Sequence, residues 1–117
     1  MATTAERQAT FDRVFKRMEA QGWQRSVKGI LCRYRSPDGK VCGAGALIPD
    51  DLYSSGMEGQ DITGVLNEYP KLQRYFTKEN FDHHLVIELQ AAHDRGFHPE
   101  QMQRLFAGVA RYYGLKV

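Results

Sequence analysis

The chain has 117 residues, 42% hydrophobic and 26% charged, with a formal net charge of +2; this supports one hydrophobic core and excludes two that would stand alone, so one domain over 1–117 is expected. The composition excludes a disordered tail, and so weak a net charge gives no general argument for a nucleic-acid partner. No apolar run approaches the roughly 18 residues of a spanning helix, and MATTAERQ lacks the basic start and apolar middle of a secretory signal. The expectation is a cytoplasmic protein with no membrane association, in which Cys32 and Cys42 stay free thiols.

In chain order, Thr3-x-x-Glu6 predicts a capping box opening a helix to about Gln21, with Phe11, Val14, Phe15 and Met18 on one face and Gly22 as the left-handed cap. Trp23 then folds back onto the core. Ile30 to Arg35 and Lys40 to Ala44 flank Ser36-Pro37-Asp38-Gly39, a turn sequence, so a β-hairpin is expected with Tyr34 opposite Cys42 and Cys32 opposite Ala44. Gly43-Ala44-Gly45-Ala46 permits a close backbone approach or a tight start to a short helix. Ser54 to Gly59 is irregular, Asp61 caps a helix to about Glu68, and Pro70 ends it and begins another through Phe76. A longer helix follows from about Asn80 to Arg95, with Phe81, Leu85, Leu89 and Ala92 inward. The last helix starts at Pro99 after an N-cap at His98, has a Phe97–Met102 hydrophobic staple, and runs to Gly114. The predicted class is therefore α+β: a mostly helical single domain of about four to five helices with one small β-hairpin.

Charge is unevenly spread. Up to Gly45 there are nine Lys/Arg against four acids, about +5, and beyond it seven against ten, about −3. The first half could attract an anion.

The run Cys32-Arg33-Tyr34-Arg35-Ser36-Pro37-Asp38-Gly39, then Val41-Cys42-Gly43-Ala44-Gly45-Ala46-Leu47-Ile48-Pro49-Asp50-Asp51-Leu52-Tyr53, Met57-Glu58-Gly59 and later Leu89-Gln90-Ala91-Ala92-His93-Asp94 resembles a family of small proteins of bacteriophages, prophages and bacteria. The family pattern pairs a Cys-x-x-Gly-x-Leu-Ile-Pro-Asp core with a downstream Leu-Gln-x-x-His-Asp. Both occur here, with Gly43 where Ala is usual, and the resemblance covers nearly the whole chain. It implies a genomic setting and a shared fold rather than a mechanism. In that setting, short accessory proteins often inhibit host defences by binding, and the protein would work in the host cytoplasm.

Four constellations could carry chemistry. Cys42 with His93 and Asp94 has the inventory of a Cys-His-acid nucleophile system, against the reading of Cys42 as a small buried hydrophobe. Cys32 and Cys42 with His83, His84 or His93 could hold zinc, although the spacing lacks short chelating pairs. Gly43 and Gly45 could expose amides to a phosphate while Arg33, Arg35, Lys40 and Arg25 neutralise it and Tyr34, Tyr53 or Trp23 stack on a base. Against that stands the reading of glycines that let the hairpin pack on a helix. The acids Asp50, Asp51, Glu58 and Asp61 are best explained as caps.

A basic recognition helix is absent from the last helix pair, so duplex DNA reading is not expected. The candidate ligand-binding residues are Arg33, Tyr34, Arg35, Cys42, Gly43, Gly45, Tyr53, Glu58, His93 and Asp94. No catalytic residue, metal ligand or cofactor is assigned. The expected function is a phage-type accessory protein that binds a nucleotide-like small molecule or a host defence protein and inhibits an anti-phage activity. The alternatives are a protein-interaction inhibitor without a small ligand and a small Cys/His enzyme; a homodimer is left open.

Overall fold

A computed structural model describes residues 3–76 and 83–117. Helix α1, Thr4–Ala20, opens on the expected box: Glu6 N–H donates to Thr3 Oγ1 at 3.1 Å and Thr3 N–H to Glu6 Oε1 at 2.8 Å. Phe11, Val14 and Met18 form its buried face. Gly22 at φ 69° ends it, and Trp23 is also left-handed at φ 58°. That state costs a non-glycine residue about 1–2 kcal/mol. The cost is offset by burying the indole edge-on between Phe15 and Phe106, at centroid distances of 4.8 and 5.4 Å.

The hairpin lies earlier than expected. Strands β1, Val27–Lys28, and β2, Leu31–Cys32, pair antiparallel as Val27 with Cys32 and Lys28 with Leu31. Cys32 is thus opposite Val27, not Ala44. Around Pro37-Asp38-Gly39 only one bridge forms, Arg35 with Val41, in a register that still sets Tyr34 against Cys42, whose N–H reaches the Tyr34 carbonyl at 3.4 Å. Glu58 takes the one donor, the Tyr34 N–H, that the next rung would use, while Arg35 and Val41 form a non-hydrogen-bonded pair whose N–H groups point away from each other. Glu58 accepts from the N–H groups of Tyr34 and Arg35, and Gln21 accepts from Val41 N–H while donating to its carbonyl.

After 3₁₀ turns at Gly45–Leu47, Asp50–Leu52 and Ser55–Met57, helix α2 runs Ile62–Glu68, capped by Asp61, which accepts from Gly64 N–H at 2.8 Å. A turn at Pro70–Leu72 leads into the single-turn α3, Gln73–Phe76. Helix α4 is described from His83 to Arg95; the expected start near Asn80 and the inward placing of Phe81 lie outside the described residues. Helix α5, Pro99–Tyr113, follows an extended His98 and ends at left-handed Gly114. Its staple differs from expectation. Met102 is buried, but Phe97 is 65% exposed under the Arg25 guanidinium, 4.2 Å from its ring centroid. Gly96 occupies the place over Met102, where a Cβ would come within 2.8 Å of the Met102 Cα.

The fold is α+β and mostly helical, with five α-helices and one two-stranded hairpin among the described residues. One continuous core joins α1, α4 and α5 to the central segment Val41–Ile48. Gln8 and Lys116 exchange two hydrogen bonds, 2.7 and 2.8 Å, that tie the chain's end to α1. No helix among the described residues is long and apolar enough to cross a membrane.

Candidate functional site

Helix α4 presents Gln90, His93 and Asp94 toward the β1–β2 hairpin. His93 is fully buried, and its Nε2 accepts the Ser26 N–H at 2.8 Å. A main-chain N–H can only donate, so the ring proton sits on Nδ1, which donates to Asp94 Oδ1 at 2.8 Å. Both ring nitrogens are spent. Beside this pair lies Cys32, with Arg25 Nη1 at 3.9 Å from its sulfur and 3.5 Å from the Asp94 carbonyl. Partial burial first, and Asp94 second, push the Cys32 thiol up from its ordinary value, while Arg25 pulls it down.

An open cleft of about 340 Å³ adjoins this cluster, with Cys32, Arg33 and Tyr34 on one wall, Gln60 and Asp61 on another, and Gln90 and Asp94 from α4 on the third. Ile62 and Ile87 give it apolar surface. Tyr34 is buried and donates its hydroxyl to the Gln60 carbonyl at 2.7 Å; burial, followed by Cys42, Asp61, Glu58 and Asp94, raises its phenol far above the ordinary value. Of the expected ligand residues, Arg33, Tyr34 and Asp94 meet here, with His93 immediately behind Asp94.

The remaining ones are divided between packing and a second surface. Glu58 binds the Arg33–Arg35 segment from within: it accepts Tyr34 N–H at 2.8 Å, Arg35 N–H at 3.1 Å and Tyr53 O–H at 2.6 Å, with Arg33 Nε 3.9 Å away. Tyr53 is thereby a brace, its phenol raised by burial and then by Glu58. Arg35 turns away from the cleft to Asp50 and the Ile48 carbonyl, both at 2.7 Å, and its Nε is buried without a hydrogen-bond partner among the described residues.

Gly43 and Gly45 are buried. A Cβ at Gly43 would stand 2.8 Å from the Leu89 carbonyl oxygen and 2.9 Å from Gln90 N, and one at Gly45 would collide with the Tyr34 carbonyl. The neighbouring amides are already bonded: Ala44 N–H to Gln90 Oε1 at 2.8 Å, and Gly45 N–H to Cys42 Sγ at 3.2 Å. These glycines admit a helix backbone, and their turn presents no cradle of open amides to an anion. Cys42 is sealed below them. Burial pushes its thiol up to about 12, the Gly45 and Gln90 hydrogen bonds notwithstanding, so it is a neutral thiol rather than a nucleophile at neutral pH.

The donor atoms of Cys32, His93 and Asp94 lie within 4.8 Å of one another, a set that substitutes Asp94 for the Cys42 of the zinc reading. The donor chemistry does not fit a metal. Nδ1 carries the ring proton, and moving it to Nε2 would set that N–H against the Ser26 N–H. His84 is exposed and lines a different groove between α4 and α5, and the side chain of His83 lies outside the described residues.

No protein-family model, curated protein or solved structure matches this chain. Sequence reasoning missed Gln90, Gln60, Asp61 and Ser26 as partners at this site. For Gln90 a signal existed: it stands three residues before His93 and four before Asp94, on the same helix face.

Proposed function

We propose that this chain is a phage- or prophage-type accessory protein that acts by binding. In this reading it inhibits a host anti-phage defence by holding a nucleotide-derived small molecule in the cleft beside Cys32. The observation that carries the reading is the pairing of two carboxylates, Asp61 and Asp94, with Arg33 around one open cleft that Tyr34 also lines. Carboxylates accept from ribose hydroxyls or an exocyclic amine, a guanidinium meets a phosphate, and Ile62 and Ile87 offer apolar contact to a base. Binding is favoured over turnover because the buried thiol is bonded to a backbone amide and the histidine has no free nitrogen to serve as a base.

The test is native mass spectrometry of the purified protein, followed by calorimetric titration with a mononucleotide, ADP-ribose and a cyclic dinucleotide. A small-molecule mass excess that vanishes on denaturation, together with a 1:1 titration lost in Cys32→Trp, is expected. No adduct, no heat at millimolar ligand and unimpaired defence inhibition by Cys32→Trp would overturn the proposal.

A second reading, a host protein as the partner, is favoured by Ile30 and Leu31, which are 94% and 69% exposed at the hairpin. Stoichiometric capture of one defence protein, lost in Ile30→Asp with the small-molecule site intact, would select it.

A further inference from the structure

On the far side of the Arg33–Arg35 segment from the cleft lies a groove of about 450 Å³ whose charge is almost all of one sign. Arg13, Lys16 and Arg17 line it from α1, and Arg35 lines it from the opposite wall, above the turn from Gly45 to Pro49. Residues at i, i+3 and i+4 share one helix face, so the three α1 cations form a single bank. Arg13 and Lys16 have no acidic partner among the described residues, and Arg17 makes one long contact, 3.4 Å, to the Gly39 carbonyl. Asp50 is the one acid in the lining, and its carboxylate is spent on Arg35 at 2.7 Å.

That ion pair, with the Ile48 carbonyl contact, fixes the Arg35 guanidinium in place, so one charge is preorganised and the facing ones are mobile on long stems. We infer that this groove is a binding site for a compact polyphosphate group, of the kind carried by a nucleoside diphosphate or triphosphate. The lining carries four cations against the single Asp50 carboxylate, and that excess of positive charge along an open groove raises the potential where a short chain of phosphates can lie. A long nucleic-acid backbone is disfavoured because the bank is confined to two turns of α1, between Asp12 and Glu19 on the same helix. The inference goes beyond the cleft and stands whether or not the cleft takes a ligand.

The probe is sodium triphosphate, which has no sugar or base, and Cys32→Trp, which fills the cleft but not the groove, is expected to leave its affinity within about twofold, separating this site from the Arg33 of the cleft. Calorimetric titration of the full chain at low ionic strength is expected to show one site per chain, weakened by added salt. Arg13→Glu with Lys16→Glu, both exposed positions on α1, weakens triphosphate at least about tenfold. The neutral pair Arg13→Gln with Lys16→Gln weakens it less, and far-ultraviolet circular dichroism checks that each variant is folded. Lys71→Glu with Arg74→Glu makes the same change in net charge elsewhere on the surface and leaves affinity within about twofold. The inference is overturned if triphosphate does not bind or if the two charge-reversed variants lose equally. It also fails if a short oligothymidylate binds more tightly than triphosphate through the same four cations.

Discussion

Replacing Glu58 tests the arrangement most directly, because one carboxylate holds three donors and its side chain is only 11% exposed. In Glu58→Ala the Tyr34 N–H, on a buried residue, is left without an acceptor, which costs about 1–3 kcal/mol. The Arg35 N–H and the Tyr53 hydroxyl belong to half-buried residues and recover water in part, at about 1 kcal/mol each. The expected loss is about 3–5 kcal/mol, a large share of the roughly 5–15 kcal/mol that stabilises a domain of this size. Glu58→Gln does not rescue. Its amide is isosteric, but whichever way it turns, an N–H₂ group faces one of the two main-chain donors, for a loss of about 1.5–3 kcal/mol. Tyr53→Phe, which removes one hydroxyl, loses only about 0.5–1.5 kcal/mol. Guanidinium denaturation followed by the single, buried Trp23 gives all three values. An alanine variant within about 1 kcal/mol of wild type at unchanged denaturant slope would refute the bracing role. Because the same carboxylate sets the Arg33–Arg35 segment that borders both cleft and groove, Glu58→Gln is also expected to weaken any ligand of either.

The two thiols should differ in reactivity. Cys32, half-buried, alkylates in the native state more slowly than a free cysteine near neutral pH, since burial and Asp94 raise it; its rate keeps climbing with pH beyond the ordinary thiol range. Cys42 labels only as the protein unfolds, and peptide mass mapping that found the two equally fast would contradict its burial. The Ser36–Lys40 turn should respond to acid. Asp38 is lowered from 3.8 to about 2, by the Lys40 ammonium at 2.5 Å first and the Ser36 hydroxyl second. Its contribution is complete above pH 3.8 and is lost as pH falls through about 2. A carboxyl carbon titration with its midpoint near 3.8 would show that the turn does not hold it.

What could be read in the sequence and what could not follow from the range of the interactions. The capping box at Thr3 and Glu6, the Asp61 cap, Pro99 and the left-handed Gly22 and Gly114 are each decided by neighbours within about four residues, so the helices were legible. The hairpin was misplaced for the opposite reason. The turn chemistry at Ser36-Pro37-Asp38-Gly39 and the register at Arg35 and Val41 hold, but Glu58, distant in the chain, takes the Tyr34 N–H that the next rung needs, and nothing local announces it. The bond from Ser26 N–H to His93 spans 67 residues and was equally beyond a sequence reading.

The site divides along the same line. Arg33, Tyr34 and Asp94 reach a common cleft, whereas glycine at 43 and 45 signals a close approach without saying what approaches. Here it is the backbone of α4 and the Tyr34 carbonyl. The cations of α1 pose the converse case. Their periodicity places them off the core face, which ordinarily means solvent; only the path of the chain from Arg35 to Pro49 brings a facing wall and a fourth charge. An anion site assembled this way has no motif. It is recognised by an excess of charge of one sign across a groove, here the α1 cations facing an Arg35 that Asp50 holds, a criterion that the buried glycine turn does not meet.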